Sequence, residues 1–334
     1  MHTRKLGSRG LTVSALGLGT MGMSSQPGKP GMYGPADEAE SLLTIHRALE
    51  LGVNFFDTAE AYGPYLNEEL LGKALRGRRS QAVIATKFGF RFAADGAIDG
   101  TNGTPANARR ALDASLARLG VDHIDLWYLH RLDRNVPIED TVGAMADAVA
   151  RGKVRFLGLS EVGASTLKRA HAVHPISALQ SEWSLWERNL ESGVLAAARS
   201  LGIGIVPFSP LGRGFLTGRT PRAEDFPEGD YRRNDPRYQG ANYDANQRIV
   251  DAVGAIARRL QATPGQVALA WLLHQGHDVV PIPGTKRRSF LEENCASAQL
   301  ALTRTDLDAL NAAAPAGGTA GPRYTEKMMS MVDR

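Results

Sequence analysis

The feature that most constrains the fold is a regular alternation of short apolar strands with amphipathic helices. The first clear helix begins near Asp37 and ends at Leu51, and a strand follows over 53–58. Asp37 can cap the helix N-terminus, Glu40 completes the capping pair, and Gly52 suits the left-handed turn that ends the helix. Further strands are predicted over 15–19, 83–87, 124–130, 154–160, 178–184, 203–209 and 279–283. Further helices are predicted over 105–119, 139–151, 165–173, 191–201 and 244–261, after Thr263-Pro264, and through Asn294.

Counting the segment 15–19, the chain contains eight strand–helix units. The strands are apolar on both faces, as expected of strands that are buried in a parallel sheet. No linker divides the 334 residues into two parts. Eight such units in one chain favour a single (β/α)8 TIM barrel, and an open doubly wound sheet is the alternative.

The composition disfavours several classes of protein. The net charge of +4 is small for 334 residues, and the densest basic run, 76–79, lies just before an apolar strand, so a nucleic-acid-binding face is not indicated. Cys295 is the only cysteine, which excludes an internal disulfide and a CxxC metal or redox site. We find no signal peptide after Met1, and no apolar stretch approaches the length of about 18 residues that spans a bilayer. We therefore expect a cytoplasmic protein that binds neither nucleic acid nor membrane.

Polar side chains stand where several predicted strands end, which is where barrel enzymes carry their chemistry. Asp57 ends the second strand, Tyr62 follows it in the next loop, Lys87 ends the third strand and His130 ends the fourth. A lysine within an apolar strand is unusual, because a buried ammonium group without a partner is costly. Taken singly, the other three also fit a turn cap, a half-buried loop aromatic and a core histidine. In a barrel, all four converge on one mouth.

Together, the four side chains can deliver a proton to the alkoxide that forms when a carbonyl group accepts hydride. Tyrosine is a poor acid at neutral pH because its free pKa is near 10, and a neighbouring ammonium group lowers that pKa. Asp57 would hold Lys87 charged and in place, and His130 could donate a hydrogen bond that orients the carbonyl oxygen. Tyr62 would then be the proton donor, a role typically worth about 10²–10⁴-fold in rate.

At these residues the sequence resembles the aldo-keto reductase superfamily. The matching stretches are Asp57-Thr58-Ala59-Glu60-Ala61-Tyr62-Gly63, Lys87 and Tyr128-Leu129-His130. Two further stretches resemble the bacterial and plant branch that includes pyridoxal- and aryl-aldehyde-type reductases: Leu129-His130-Arg131-Leu132-Asp133 and Gly158-Leu159-Ser160-Glu161. The resemblance implies the barrel, a catalytic role for Asp57, Tyr62, Lys87 and His130, and hydride transfer from NADPH without a metal. It also implies one domain over 1–334, with an N-terminal hairpin (1–14) that plugs the barrel bottom and a C-terminal tail (315–334).

One glycine motif points to a different cofactor fold. Gly17-Leu18-Gly19-Thr20-Met21-Gly22 matches the GxGxxG fingerprint of dinucleotide-binding sheets, which requires a helix to begin at the motif. Residues 24–35 follow, rich in Gly and Pro, and no helix is predicted before Asp37. We therefore disfavour this interpretation. The resemblance instead implies that Gly19, Thr20 and Met21 lie beside the nicotinamide ribose.

A better cofactor signal is the run that follows the last strand, Pro283-Gly284-Thr285-Lys286-Arg287-Arg288. Three successive cations at a barrel strand end suit a phosphate group, and the final loops of barrels commonly bind one. A solvated helix start is the alternative, but cations there oppose the helix dipole. The resemblance implies that Lys286 and Arg287 contact the 2′-phosphate of NADPH and that Glu293 and Asn294 hold the adenine. Phe290 stands where the family often has glutamine or arginine, and Arg288 could substitute for it.

The resemblance also implies contacts to the rest of the cofactor. Ser160 and Gln180 match the family's carboxamide ligands, and Glu161 stands where many members have asparagine, so it can accept but not donate when ionised. Phe208 matches the aromatic residue that stacks on the nicotinamide. The implied pyrophosphate contacts are Ser209, Leu211, Gly212 and Gly214. The long polar segment 213–243 is expected to fold over NADPH, because loops of this length are usually functional or disordered.

An NADPH-dependent carbonyl reductase is therefore the leading prediction. A cofactor-sensing regulatory subunit, like the relatives that modulate potassium channels, is the second, and the complete set of four catalytic residues disfavours it. A nucleic-acid binder is a distant third. The sequence leaves open the substrate, among aryl aldehydes, pyridoxal, keto-sugars and bulky cyclic ketones. It also leaves open the oligomeric state, the preferred direction of reaction and the conformation of the loops 88–103 and 213–243.

Overall fold

The computed structural model describes residues 1–25 and 31–333, and residues 26–30 and 334 lie outside the described part. The strands are β1 (Thr3–Leu6), β2 (Leu11–Ser14), β3 (Leu18–Gly19), β4 (Phe55–Asp57), β5 (Val83–Phe88), β6 (Phe90–Phe92), β7 (Ile98–Thr101), β8 (Ile124–Leu129), β9 (Val154–Ser160), β10 (Ile176–Glu182) and β11 (Gly204–Phe208). The helices are α1 (Glu38–Glu50), α2 (Leu66–Leu75), α3 (Pro105–Leu119), α4 (Ile138–Ala150), α5 (Ala164–Val173), α6 (Val194–Ser200), α7 (Gly240–Arg259), α8 (Pro264–Leu273), α9 (Arg288–Ala296), α10 (Arg304–Ala313) and α11 (Glu326–Met329).

The core of the fold is a parallel sheet whose strands follow chain order. The seven strands β3, β4, β5, β8, β9, β10 and β11 lie side by side in that order within the described part of the chain. Every residue of β8 and of β10 is buried, which explains why their sequences are apolar on both faces. Helices connect successive strands and cover the outside of the sheet, and no helix in the described ranges is long and apolar enough to cross a bilayer.

The segment 279–283 closes the sheet into a barrel. Val280 and Ile282 donate backbone hydrogen bonds to β11 over 2.8 Å and 3.0 Å, and β3 bonds to the segment from its other side. The predicted strand at this position is not a regular one, because Pro281 and Pro283 have no N–H to donate. The (β/α)8 barrel is confirmed, with an eighth member that pairs through isolated bridges.

An antiparallel hairpin of β1 and β2 covers the N-terminal ends of the barrel strands. Leu6, Leu11 and Val13 are buried and pack with side chains of the barrel interior. The turn bonds to the barrel through the Ser8 N–H, which donates to the Gly202 carbonyl over 2.7 Å. The opposite, C-terminal end of the barrel is therefore the end that is available for chemistry.

The structure differs from the sequence predictions mainly outside the barrel. The loop 88–103 contains the hairpin of β6 and β7, and α2, α10 and α11 were not predicted. The loop predicted over 213–243 is shorter, because α7 begins at Gly240, and it contains short 3₁₀ turns. The first α-helix in the described residues begins at Glu38, as predicted. Residues 26–30 belong to the stretch that was predicted to be non-helical, but they lie outside the described part.

Candidate active site

The buried amine of Lys87, at the end of β5, is the centre of the site. Its Nζ donates to the carboxylate of Asp57, to the Thr58 carbonyl over 2.8 Å and to the Tyr62 hydroxyl over 3.2 Å. The rings of Tyr62 and His130 meet edge to face, with centroids 5.9 Å apart. The four residues identified at the strand ends are thus brought together at one mouth of the barrel.

The surroundings keep Lys87 charged and Tyr62 protonated. Burial lowers the pKa of Lys87, but the charge of Asp57 and the hydrogen bonds to Asp57 and Tyr62 outweigh burial and raise it above its ordinary value. Burial raises the pKa of Tyr62 above 10.0, and Lys87 offsets only part of that increase. The expected net lowering of the Tyr62 pKa is therefore wrong, because desolvation of the phenolate is the larger effect. Burial, Lys87 and Arg131 hold the pKa of His130 well below 6.5, so its imidazole is neutral.

A polar network behind the site fixes Asp57. Gln180 donates to its carboxylate over 2.7 Å, and the Thr20 hydroxyl bonds to its carbonyl over 2.8 Å. The fully buried Asn67 joins the ends of β3 and β4, because its amide oxygen accepts from Thr20 and Thr58 over 2.5 Å and 2.7 Å. The sequence analysis missed Asn67, and no local pattern marks it, since its partners come from two other segments.

The first and last barrel segments meet beside this network. Gly19 pairs with Asp57 in the ladder of β3 and β4, and it also pairs with Gly284. A Cβ atom at Gly19 would lie 3.0 Å from the Ile282 carbonyl oxygen, so this approach of two backbones favours glycine. Met21 follows in a short 3₁₀ turn, half-exposed at the same end of the barrel.

The residues predicted to contact the nicotinamide and pyrophosphate end neighbouring strands. Ser160 of β9 lies opposite Gln180 of β10 in the sheet register, and Phe208 ends β11. Ser209, Leu211, Gly212 and Gly214 follow in the turn after β11. Gly212 has a φ of 57°, and a Cβ atom there would lie 2.5 Å from the ring of Trp186. This turn therefore requires glycine at 212.

Two of the three cations after the last barrel segment have no ion-pair partner within the described ranges. Lys286 donates to three main-chain carbonyls of residues 33–35, and burial, Arg287 and Arg232 lower its pKa. Arg287 is exposed, and Thr285 accepts from its backbone N–H over 3.2 Å. Arg288 is already paired with a carboxylate of α1, at 3.0 Å. Arg287 is therefore available to an anion, whereas Lys286 would have to exchange a carbonyl for it and Arg288 would have to leave its carboxylate.

The predicted adenine ligands lie on α9. Glu293 accepts a hydrogen bond from the Thr263 hydroxyl over 2.7 Å and lies 3.6 Å from the guanidinium of Arg219. Asn294 is buried in the same helix. Arg219 belongs to the loop after β11, so this loop reaches the side of the site where Glu293 lies.

Glu161, directly after β9, turns its carboxylate to the C-terminal tail. Its two oxygens pair with the guanidinium of Arg323, and one of them also accepts from the Glu182 backbone N–H over 2.9 Å. Its φ of 56° places it in the left-handed region, which non-glycine residues rarely adopt. The tail thus supplies the counter-charge for a predicted cofactor residue.

A buried arginine–carboxylate cluster joins the loop after β11 and the tail to the end of β10. Glu182 accepts from Arg237 over 3.0 Å and from Arg213 over 3.3 Å, and Arg323 lies 4.0 Å away. Asp235 pairs with both Arg213 and Arg237. This cluster was not predicted from the sequence, since its members come from separate segments.

Comparison with known proteins gives one consistent answer. The model of the aldo/keto reductase family matches residues 15–315. A probable aldo-keto reductase 1 from Glycine max is 45% identical over 323 residues, which are 96% of this chain and 91% of the relative.

Solved structures agree with the sequence relatives. The structure of a glycerol dehydrogenase from Gluconobacter oxydans superposes with a TM-score of 0.84 at 28% identity, covering 93% of this chain and 94% of the other. A thermostable aldo-keto reductase in complex with the inhibitor epalrestat superposes with a TM-score of 0.76 at 27% identity, covering 94% of this chain and 100% of the other. The predicted resemblance is confirmed: the chain belongs to the aldo/keto reductase family and is an oxidoreductase of the kind that works with a nicotinamide cofactor.

Proposed function

We propose that the chain reduces an aldehyde or ketone to the alcohol, with NADPH as hydride donor and Tyr62 as proton donor. In the opposite direction the reaction is the oxidation of a CH–OH group. The observation that carries the proposal is the contact of the Tyr62 hydroxyl with the buried ammonium group of Lys87, at 3.2 Å.

The four side chains have the protonation states that reduction requires. The raised pKa of Tyr62 keeps the phenol protonated at neutral pH, so it can give up its proton to a developing alkoxide. The phenolate that remains lies beside the ammonium group of Lys87, which stabilises it, and Asp57 holds that ammonium in place. Neutral His130 has no partner for Nδ1 among the residues described, and a proton on Nε2 can be donated to the carbonyl oxygen.

The residues present fit NADPH. NADPH supplies the hydride when it is bound. Lys286 and Arg287 lack counter-charges within the described ranges and would neutralise the 2′-phosphate. Ser160, Glu161 and Gln180 would bind the carboxamide, Phe208 the nicotinamide ring, and Gly212 with its neighbours the pyrophosphate.

The decisive test is steady-state oxidation of NADPH with a panel of aldehydes and ketones. We expect turnover by the wild type and a loss of about 10²-fold or more in kcat for Tyr62→Phe, with the Kd for NADPH changed less than about threefold. Tyr65→Phe is the matched control, because Tyr65 is an exposed tyrosine of the same loop and its hydroxyl has no partner in the described part. Near-normal turnover by Tyr62→Phe would remove Tyr62 as the proton donor.

Replacement of Lys286 tests whether this residue binds the 2′-phosphate that distinguishes NADPH from NADH. If its ammonium group binds the 2′-phosphate, Lys286→Ala should weaken NADPH by about 10- to 100-fold and NADH by much less. Lys73→Ala, which removes an exposed lysine of α2, should change neither affinity. Equal losses for both cofactors would contradict the assignment.

The loop between β11 and α7 would cover the bound cofactor. Two contacts support this role of the loop. Arg219 lies 3.6 Å from Glu293, and Arg213 pairs with Glu182 at the end of β10. Limited trypsin digestion should cleave the exposed arginines of this loop more slowly when NADPH is added. Unchanged cleavage at saturating NADPH would contradict a covering role.

A further inference from the structure

Arg131 is a buried cation at the active site whose charge no carboxylate balances within the described part of the chain. It follows His130 directly at the end of β8 and is 6% exposed. Its Nη1 donates to the His130 carbonyl over 2.7 Å and to the Ser160 hydroxyl over 3.2 Å. Among the described residues Nε is buried without an acceptor, and Nη2 has none either. A buried guanidinium group in this state carries a desolvation cost that an anion would offset.

The other buried arginines at this end of the barrel show that the arrangement is unusual. Arg213, Arg237 and Arg323 each pair with at least one carboxylate. At the catalytic centre, the charge of Lys87 is balanced by Asp57, and His130 is neutral. Arg131 therefore places a positive charge without a direct carboxylate contact beside the groups that would handle the carbonyl.

Arg131 lies beside the side chains that surround His130. Its guanidinium carbon lies 5.9 Å from the centroid of the Phe90 ring, and Phe90 in turn packs against the His130 ring with centroids 4.7 Å apart. Burial raises the pKa of Tyr62 and of Tyr324 in the tail, and the charge of Arg131 offsets part of both increases, so it acts on the proposed proton donor and on the tail. Nε and Nη2 form the edge of the guanidinium group that binds a carboxylate with two parallel hydrogen bonds.

We propose that Arg131 binds an anionic group of the carbonyl substrate, so that aldehydes and ketones carrying a carboxylate are the preferred class. This inference rests on the proposed carbonyl reduction. Arg131 is then a specificity-determining residue, and the tail near Tyr324 encloses the anionic end of the substrate.

The test compares a charged substrate with an uncharged one of the same shape. The probes are 4-carboxybenzaldehyde and its methyl ester, with the 2- and 3-carboxy isomers to vary the distance from anion to carbonyl. At pH 7.5 and saturating NADPH, we expect the kcat/KM of the best acid to exceed that of its ester by about 10- to 100-fold, the value of a charge-assisted hydrogen bond. Arg131→Gln should bring this ratio close to one, and Arg131→Lys, which keeps the charge, should retain part of it.

Arg134→Gln is the matched control, because Arg134 lies in the same loop but is exposed and bonds to the Val332 carbonyl of the tail. It should leave the ratio of acid to ester unchanged. A wild-type ratio near one for all three isomers would overturn the inference, and so would equal losses for acid and ester in Arg131→Gln, which would show a purely structural role. Failure of the proposed function is a different result, in which neither acids nor esters are reduced.

Discussion

Replacing Glu182 by glutamine should destabilise the protein by several kcal/mol, although the two side chains have nearly the same shape. Glu182 is fully buried, and its carboxylate contacts Arg213, Arg237 and Arg323. Burial raises its pKa, but the three arginines outweigh burial and lower the pKa to about 2. In the variant, Asp235 is left to balance Arg213 and Arg237 with only a 4.0 Å contact from Glu187 to Arg237, while the arginines remain out of water.

The size of the effect follows from the pKa. A fall from 4.5 to about 2 corresponds to about 3 kcal/mol of interaction between the folded protein and the ionised carboxylate. Removing one partner of a buried ion pair typically costs about 3–5 kcal/mol, which agrees in magnitude. For 334 residues, with an unfolding entropy of about 2.1 cal/mol/K per residue, a loss of this size lowers the melting temperature by about 4–7 °C.

The pH dependence of the loss has a definite sign. A carboxylate whose pKa is lowered on folding contributes stability that is fully present above its unfolded pKa, near 4.5, and is lost as the pH falls towards about 2. The melting temperatures of wild type and Glu182→Gln should therefore converge across that window. Circular dichroism melts at pH 7 and at a series of acidic pH values measure both differences.

Glu187 supplies the matched control within the same cluster. Burial and the charge of Glu182 raise the pKa of Glu187, and its contacts with Arg237 and Arg323 are longer, at 4.0 Å. Glu187→Gln removes a charge that the folded state disfavours, so its melting temperature should stay within about 1 °C of the wild type or rise. A Glu182→Gln protein as stable as the wild type at pH 7, or an equal loss in both variants, would refute the reasoning.

Two further predictions concern the site and the barrel interior. The kcat/KM for reduction should show no inflection from Tyr62 or His130 between about pH 6.5 and about pH 9, because the pKa of Tyr62 lies above 10.0 and that of His130 well below 6.5. Burial raises the pKa of Glu60 to about 7, so an inflection near pH 7 that persists in Glu60→Gln would contradict these directions. Gly158→Ala should destabilise the fold by more than about 1–3 kcal/mol, because the new Cβ atom would lie 2.4 Å from the Tyr128 ring. Adding Tyr128→Leu should restore much of the melting temperature, and a lack of any such recovery would show that another contact is responsible.

The sequence was sufficient for the barrel and for the meeting of the four candidate catalytic side chains at one mouth. The alternation of strands and helices determines which residues stand at strand ends, and in a barrel it places Asp57, Lys87 and His130 at one mouth. The prediction of the strands was less accurate where the backbone does not form a regular strand. Pro281 and Pro283 leave the last barrel segment without a regular ladder, and its apolar composition alone does not reveal this.

The contacts that hold the loops could not be predicted, because they join segments that share no periodic pattern. Asn67 bonds to Thr20, which lies 47 residues earlier, and Arg323 pairs with Glu161, which lies 162 residues earlier. A local pattern reports the face of a helix or strand that is buried, but it does not report which irregular segment covers it. The same limit explains why the directions of Lys286 and Arg288 were not foreseen.

The buried charged residues at the strand ends differ in whether an opposite charge of the protein balances them. We interpret the balanced ones as structural and the unbalanced one as a residue that faces the substrate. Asp57 balances Lys87, and Glu182 balances arginines that arrive from the loop and the tail, so each of these charges is satisfied within the protein. Arg131 alone of the buried charges considered at this mouth lacks a carboxylate in the described part, although it stands next to His130. The proposed proton donor Tyr62 and its ammonium partner Lys87 need no such charge to act on a neutral carbonyl. An uncompensated arginine at this point is therefore better explained by the chemistry of the substrate than by the chemistry of the reaction.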